Sequence, residues 1–261
     1  MQGMAGLRIP TKESKEICPI HHVHLRYFGK KVKPFCFKCQ QEAIQKEKDK
    51  ISKDSLSSLL RAELKRSSLA DNSSEYNYTF DNFKASTGTK EANMLNASRR
   101  IAGEYYQNKN KHFNTIMYGT PGEGKTHLAM SILNAVNTYS NPAQKCLFIN
   151  VNSLFLAIRN SFDDPTSRWT EEYTVKKLSD ADLLVVDDLG SESAMSSHGE
   201  ASNFIQRVLY QVTNRQKRII FTTNLTMAQL KNVYNAKLVS RILEGSKGHQ
   251  LDFSGIKDKR Y

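Results

Sequence analysis

The sequence predicts an α/β fold, a parallel sheet flanked by helices, with a small metal-stapled module in front of it. Three observations carry that expectation. The turn Gly119-Thr120-Pro121-Gly122-Glu123-Gly124-Lys125-Thr126 fits the pattern G-x-x-x-x-G-K-[ST]. The apolar run Leu183-Leu184-Val185-Val186 ends in Asp187 and Asp188, as a buried parallel strand does when its C-terminal end carries ligands. Cys18, Cys36 and Cys39 share one short segment with His21, His22 and His24.

The glycine-rich turn has the flanks its pattern needs. Residues 112–118 include Phe113, Ile116 and Met117 and read as a short buried strand. Leu128, Ala129, Ile132, Leu133 and Val136 recur at helical spacing, so a helix starts at or near Lys125. Glycines let backbone N–H groups converge on a triphosphate without a Cβ in the way, and the helix N-terminus adds positive potential. Lys125 is expected at the β- and γ-phosphates of ATP and the Thr126 hydroxyl on Mg²⁺.

Composition narrows the class. Hydrophobic residues at 39% and charged ones at 25% describe an ordinary, rather polar soluble chain. No run of about 18 apolar residues suggests a membrane span, and the first ten residues lack the apolar centre of a signal peptide. The cytoplasm is the expected compartment. Of the net charge of +12, most sits early: residues 1–70 hold 15 of the 38 Lys/Arg and 7 of the 26 Asp/Glu. Nucleic acid, an acidic protein or a solvated basic helix each account for such an excess.

The cysteine segment reads as a zinc ribbon. Cys36 and Cys39 form one knuckle pair; Cys18 forms the other with a histidine. His21 has the best spacing, with His22 and His24 as alternatives. Between the pairs, residues 25–32 read as a hairpin turning at Gly29 and Lys30. A segment so small cannot bury a core, so structural Zn²⁺ is expected to supply its folding energy. From Gln40 to about Arg66 the chain is helix-forming, with Ile44, Ile51, Leu56, Leu59, Leu60 and Leu64 on a loose apolar stripe. The polar residues 67–76 read as a linker.

The later elements follow in order. Aromatics at Tyr78, Phe80 and Phe83 are spaced to pack on a domain edge, and residues 90–106 read as a helix with Leu95, Ile101 and Ala102 inward. Residues 146–151 form a second strand in which Cys146 is core. Two helices follow it; Trp169, in the polar loop between them, either packs or meets a partner. Asp187 is the expected Mg²⁺ acid and Asp188 the base that polarises water. An amphipathic helix over residues 204–212 precedes a strand, residues 218–224, ending in Asn224. That residue either orients the water or caps the next helix. Arg241 lies on a later helix, and both it and Arg260 are either phosphate-directed or surface ion pairs.

Taken together, these motifs resemble the AAA+ ATPases, and among them the DnaC/DnaI-type replicative helicase loaders. The resemblance covers residues 76–261 and rests on Tyr78 to Phe83, Gly119 to Thr126, Val186-Asp187-Asp188-Leu189-Gly190, Thr222-Thr223-Asn224, Ser240-Arg241-Ile242 and the Gly255 to Arg260 ending. It implies a P-loop NTPase sheet without a helical lid, Asn224 as a sensor of the γ-phosphate, Arg241 as an arginine finger, and Arg260 as a second arginine near nucleotide. It further implies a DnaB-type helicase and single-stranded DNA as partners, and a homo-oligomer when ATP is bound or on the helicase. The acid pair is Asp-Asp where many relatives have Asp-Glu, so slow hydrolysis is expected. The domain plan is a zinc module over 1–45, a helical connector and linker over 46–75 and the ATPase domain over 76–261. A transposition helper acting on duplex DNA with a transposase, or an ATP-gated adaptor that does not hydrolyse, are the competing functions.

Overall fold

Residues 11–28, 33–164, 166–195 and 201–259 are described by the computed structural model. The chain forms two compact units, 1–56 and 57–261. In the first, β1 (Lys12–Ile17) pairs antiparallel with β2 (His24–Tyr27). Arg26 and Phe35 then exchange backbone hydrogen bonds at 2.7 and 2.8 Å, forming the arms of the expected hairpin; its turn at Gly29 and Lys30 lies outside the described residues. Strand β1 was not expected, because Lys-Glu-Ser-Lys-Glu-Ile has no apolar alternation and is exposed at almost every position. Helix α1 (Phe37–Ser67) begins directly after Cys36. Among the described residues of this unit, the buried apolar side chains are Cys18 and Cys36 alone. Two cysteines are not a core, the situation in which small modules depend on a metal cross-link.

The second unit starts with the last turns of α1, where Leu64 is buried and Glu63 pairs with Lys177 at 2.5 Å. The polar residues after α1 are not a free tether. Leu69 N–H donates to Phe148 O at 2.9 Å and Leu69 O accepts from Asn150 N–H at 2.7 Å, so the segment occupies the sheet edge that would otherwise stay open. Sequence polarity hid this, because the bonds are made by backbone groups that every residue carries. A 3₁₀ turn follows over Ser73–Asn77.

Next come α2 (Lys90–Gln107), β3 (Thr115–Tyr118), α3 (Lys125–Tyr139), β4 (Cys146–Asn150), α4 (Val151–Asn160), α5 (Glu171–Ser179), β5 (Leu183–Leu189), α6 (Asn203–Arg215), β6 (Ile219–Thr223), α7 (Met227–Val233), α8 (Ala236–Ile242) and β7 (Gln250–Asp252). Five strands make one parallel sheet in the order β4-β5-β6-β3-β7. Alternate residues feed two cores: Ile149, Val186 and Phe221 pack with α4 to α8, and Phe148, Val185 and Ile220 with α2 and α3. Burial on both faces is why these strands read as continuous apolar runs. β7 is short and polar and gave no sequence signal. Among the described residues no helix follows α8, and none is long and apolar enough to cross a membrane.

Candidate nucleotide site and metal centre

The sheet order decides where the chemistry converges. β6 lies between β3, which feeds the glycine-rich turn, and β5, which carries the acids. The C-terminal ends of the three strands open into a cleft of about 550 Å³. Pro121, Gly122, Gly124, Lys125 and Thr126 line it from the turn, and Asp187, Asp188, Thr222 and Asn224 from β5 and β6. Gly124 sits at φ +93°, and a Cβ there would meet the Phe83 ring 2.7 Å away, so glycine is required for both conformation and space. Lys125 is buried, with Nζ donating to Gly119 O at 2.8 Å and Thr120 O at 2.6 Å. The Glu123 carboxylate does not line the cleft; it accepts from Thr120 Oγ1 at 2.7 Å and Gly255 N–H at 3.2 Å.

The acids are held by β6. Thr222 Oγ1 donates to Asp187 Oδ1 at 2.7 Å and accepts the Asp188 N–H at 2.9 Å. Thr126 Oγ1 donates to the same Asp187 oxygen at 2.9 Å. A hydroxyl and a carboxylate on adjoining elements are the protein donors that suit Mg²⁺, which keeps waters for its other positions. Burial, with the Asp188 and Asp71 charges behind it, pushes the Asp187 carboxyl up to about 6. Burial raises Asp188 as well. Between Val186 and Leu189 the β5–β6 register slips by one residue, a bulge that puts Asp188 at φ +58°. Bulges re-aim side chains beside reactive sites, and aspartate tolerates the left-handed region. Asn224 Nδ2 donates to Asp188 Oδ1 at 2.8 Å. It does not cap α7, whose capping box is made by Thr226 and Gln229.

Several cleft residues gave no signal in the sequence. Asp71 and Glu75 come from the stretch read as linker; the Glu75 carboxyl is pushed up to about 7 by burial and by the Asp187 and Asp71 charges. Tyr78 stacks on His127 at 4.4 Å, and Lys259 Nζ lies 3.8 Å from the Phe83 ring centroid. The Lys259 N–H donates to Gly122 O at 3.0 Å, which sets this residue beside the glycine-rich turn. Arg241, in the last turn of α8, pairs with Glu244 at 3.1 Å and is not among the residues lining this cleft. Arg260 lies outside the described residues. Trp169 packs partly buried against the core, edge-on to Tyr173 and under Arg168.

In the first unit, Cys18, His21, Cys36 and Cys39 bring four donor atoms within 4.8 Å of one another. Cys18 Sγ to Cys39 Sγ is 3.6 Å, and His21 Nδ1 lies 3.9, 3.6 and 3.2 Å from Cys18, Cys36 and Cys39. Tetrahedral zinc with thiolate bonds of about 2.3 Å needs donor separations of roughly 3.7 Å, so the set fits the ion. His21 is the histidine of the cluster; His24 Nδ1 instead lies 3.0 Å from Ser14 O. Glu42 Oε1 lies 2.9 Å from His21 Nε2, as a carboxylate does when it orients a metal-binding imidazole.

A parallel sheet with a P-loop after one strand and paired acids on another defines a P-loop ATPase domain. The chain belongs to the bacterial DnaA ATPase domain family, whose model matches residues 74–247. It is similar to the replicative helicase loader DnaC of Buchnera aphidicola (from Acyrthosiphon pisum), at 28% identity over 174 residues, 65% of each chain. Similarity to DnaC of Escherichia coli K12 is 26%, covering 65% of this chain and 64% of that one. The chain thus spans just under two thirds of the curated relatives it matches. Among solved structures, a DnaC helicase loader aligns with TM-score 0.56 and 22% identity over 71% of this chain and all of that one. DnaI aligns with TM-score 0.54 and 19% identity over 71% and 95%. The expected fold class is the observed one.

Proposed function

We propose that this chain is an ATP-dependent loader that holds a DnaB-type replicative helicase and delivers it to single-stranded DNA during replication. The observation that carries the reading is the likeness of its ATPase region to proteins named replicative helicase loaders, in a chain whose cleft is lined by the glycine-rich turn, Lys125, Thr126, Asp187, Asp188 and Asn224. ATP with Mg²⁺ is the ligand: Gly119 to Lys125 cradle the phosphates, and Thr126 and Asp187 hold the ion. Asp188 takes the proton of the attacking water, which Asn224 aligns through its bond to that carboxylate. Hydrolysis is slow, because an aspartate reaches less far than a glutamate. Arg241, on the surface and outside its own cleft, acts on the nucleotide of a neighbouring copy, so the active form is an oligomer. Arg260, outside the described residues, is the second arginine that the resemblance assigns to the nucleotide.

In this division of labour zinc holds the cysteine module within residues 1–45, and residues 76–261 hydrolyse ATP with Asp71 and Glu75 of the connecting stretch lining the cleft. The basic first unit takes the helicase. Single-stranded DNA is supported by cations beside partly buried rings, with Arg207 5.3 Å from the Phe204 ring and Arg168 5.6 Å from Trp169.

The deciding experiment is capture of the source cell's replicative helicase by the full chain with ATP and Mg²⁺. A helicase complex supports the reading. A transposase in its place, or no helicase under ATP, refutes it. An ATPase rate that ignores both single-stranded DNA and Arg241→Ala would leave only a nucleotide-gated adaptor.

A further inference from the structure

Beyond the cleft, one buried polar pair joins two elements that the proposed reaction uses separately. Glu192, in the turn after β5, is 7% exposed, and Tyr234, between α7 and α8, is 2% exposed. The Tyr234 phenol donates to Glu192 Oε1, and Glu192 Oε2 accepts the Gly190 N–H at 2.9 Å. Both carboxylate oxygens are therefore engaged, one on each side of the junction. On the β5 side, the turn is tied to the catalytic acid itself, because Ser191 Oγ donates to Asp188 O at 2.7 Å. On the helix side, Asn235 follows Tyr234 directly and caps α8, its side chain accepting from Leu238 N–H at 3.0 Å. Arg241 lies in the last turn of α8.

Tyr234 belongs to the apolar cluster that includes Leu189, Leu230 and Val233, and Glu192 is buried against it. In such surroundings neither the carboxyl nor the phenol finds water if the bond opens, so the two elements are held at one separation. Packing alone would not need a carboxylate here; a leucine against a phenylalanine would fill the same interior.

We infer that Glu192 and Tyr234 are positioning residues that lock the turn following Asp188 to the start of the helix bearing Arg241, so that the state of a subunit's own cleft sets the arginine it offers to its neighbour. The inference rests on the reading of Arg241 as acting on a neighbouring copy. An arrangement at Asp188 that moves the Gly190 turn pulls Glu192, and through the phenol it shifts the first turn of α8.

The test is steady-state ATP hydrolysis by the full chain in four forms: wild type, Tyr234→Phe, Arg241→Ala and the double variant. Tyr234→Phe is expected to lower kcat about tenfold with KM within about twofold, and to add nothing in the Arg241→Ala background. Glu192→Gln keeps one of the two acceptors, enough for the phenol or the Gly190 N–H but not both, and should likewise lower kcat only where Arg241 is present. It also carries the comparison if thermal melting shows that Tyr234→Phe does not fold. A wild-type kcat in Tyr234→Phe beside an impaired Arg241→Ala overturns the coupling alone. So does a further tenfold loss in the double variant, which would mean a local effect on Asp188. A wild-type kcat in Arg241→Ala overturns the arginine reading and the coupling with it.

Discussion

Replacing Thr222 by valine keeps the shape of the side chain and removes two bonds at once. The hydroxyl donates to Asp187 at 2.7 Å and accepts the Asp188 N–H at 2.9 Å. A hydrogen bond to a carboxylate contributes about 1.5–3 kcal/mol and a neutral one about 1, so the variant should lose about 3 kcal/mol of unfolding free energy at pH 8. The loss should depend on pH. Asp187 is raised from 3.8 to about 6 in the folded chain. The folded state therefore binds the proton more tightly, and this contribution is present below the unfolded value and lost as pH rises through the folded one. Without the Thr222 donor the folded value rises by about one further unit, equivalent to about 1.4 kcal/mol. The destabilisation at pH 5, where the carboxyl is mostly protonated in both forms, should then be smaller by about that amount. Mg²⁺ needs the ionised carboxylate. At pH 6 the ionised fraction falls from about one half to about one tenth, so half-saturating Mg²⁺ should rise about fivefold, with the added shift nearly gone at pH 8. Chemical unfolding at the two pH values and Mg²⁺ titration of nucleotide binding measure both effects. A destabilisation equal at pH 5 and pH 8, or a Mg²⁺ shift equal at pH 6 and pH 8, would refute the role given to this threonine.

Two more outcomes follow from other parts of the chain. Cys36→Ser removes one of four converging donors from a unit with almost no apolar core, so zinc content should fall to zero and circular dichroism should lose the β1–β2 signal, while ATP binding by the second unit persists. Arg218→Met leaves Gln144 Oε1, Asp182 O and Tyr105 O without their buried guanidinium donors; about 3 kcal/mol or more should vanish from the unfolding free energy, with nucleotide affinity unchanged.

What could be read in advance was whatever local chemistry dictates. The glycine-rich turn announces itself because a phosphate cradle needs glycines and a lysine at fixed spacing, and the β5 acids because a doubly buried strand is an unbroken apolar run. The knuckle spacing of Cys36 and Cys39 is local in the same sense. Strand β1, strand β7 and the docking of Leu69 were invisible, since polar segments were recruited by backbone pairing. The choice of His21 over His22 and His24 needed coordinates, because three histidines within four positions differ only in where their rings point.

By itself the sequence determined that a triphosphate-binding α/β domain follows a cysteine-rich module, because each motif is a few residues whose covalent spacing suffices for its chemistry. Only the tertiary structure decided that β6 lies between the P-loop strand and the acid strand, and so made Thr222 the bridge between Asp187 and Asp188. It also brought Asp71, Glu75 and Lys259 to the cleft and tied Glu192 to Tyr234. These partners lie far from one another along the chain, and pairs brought together by sheet order leave no local pattern to read.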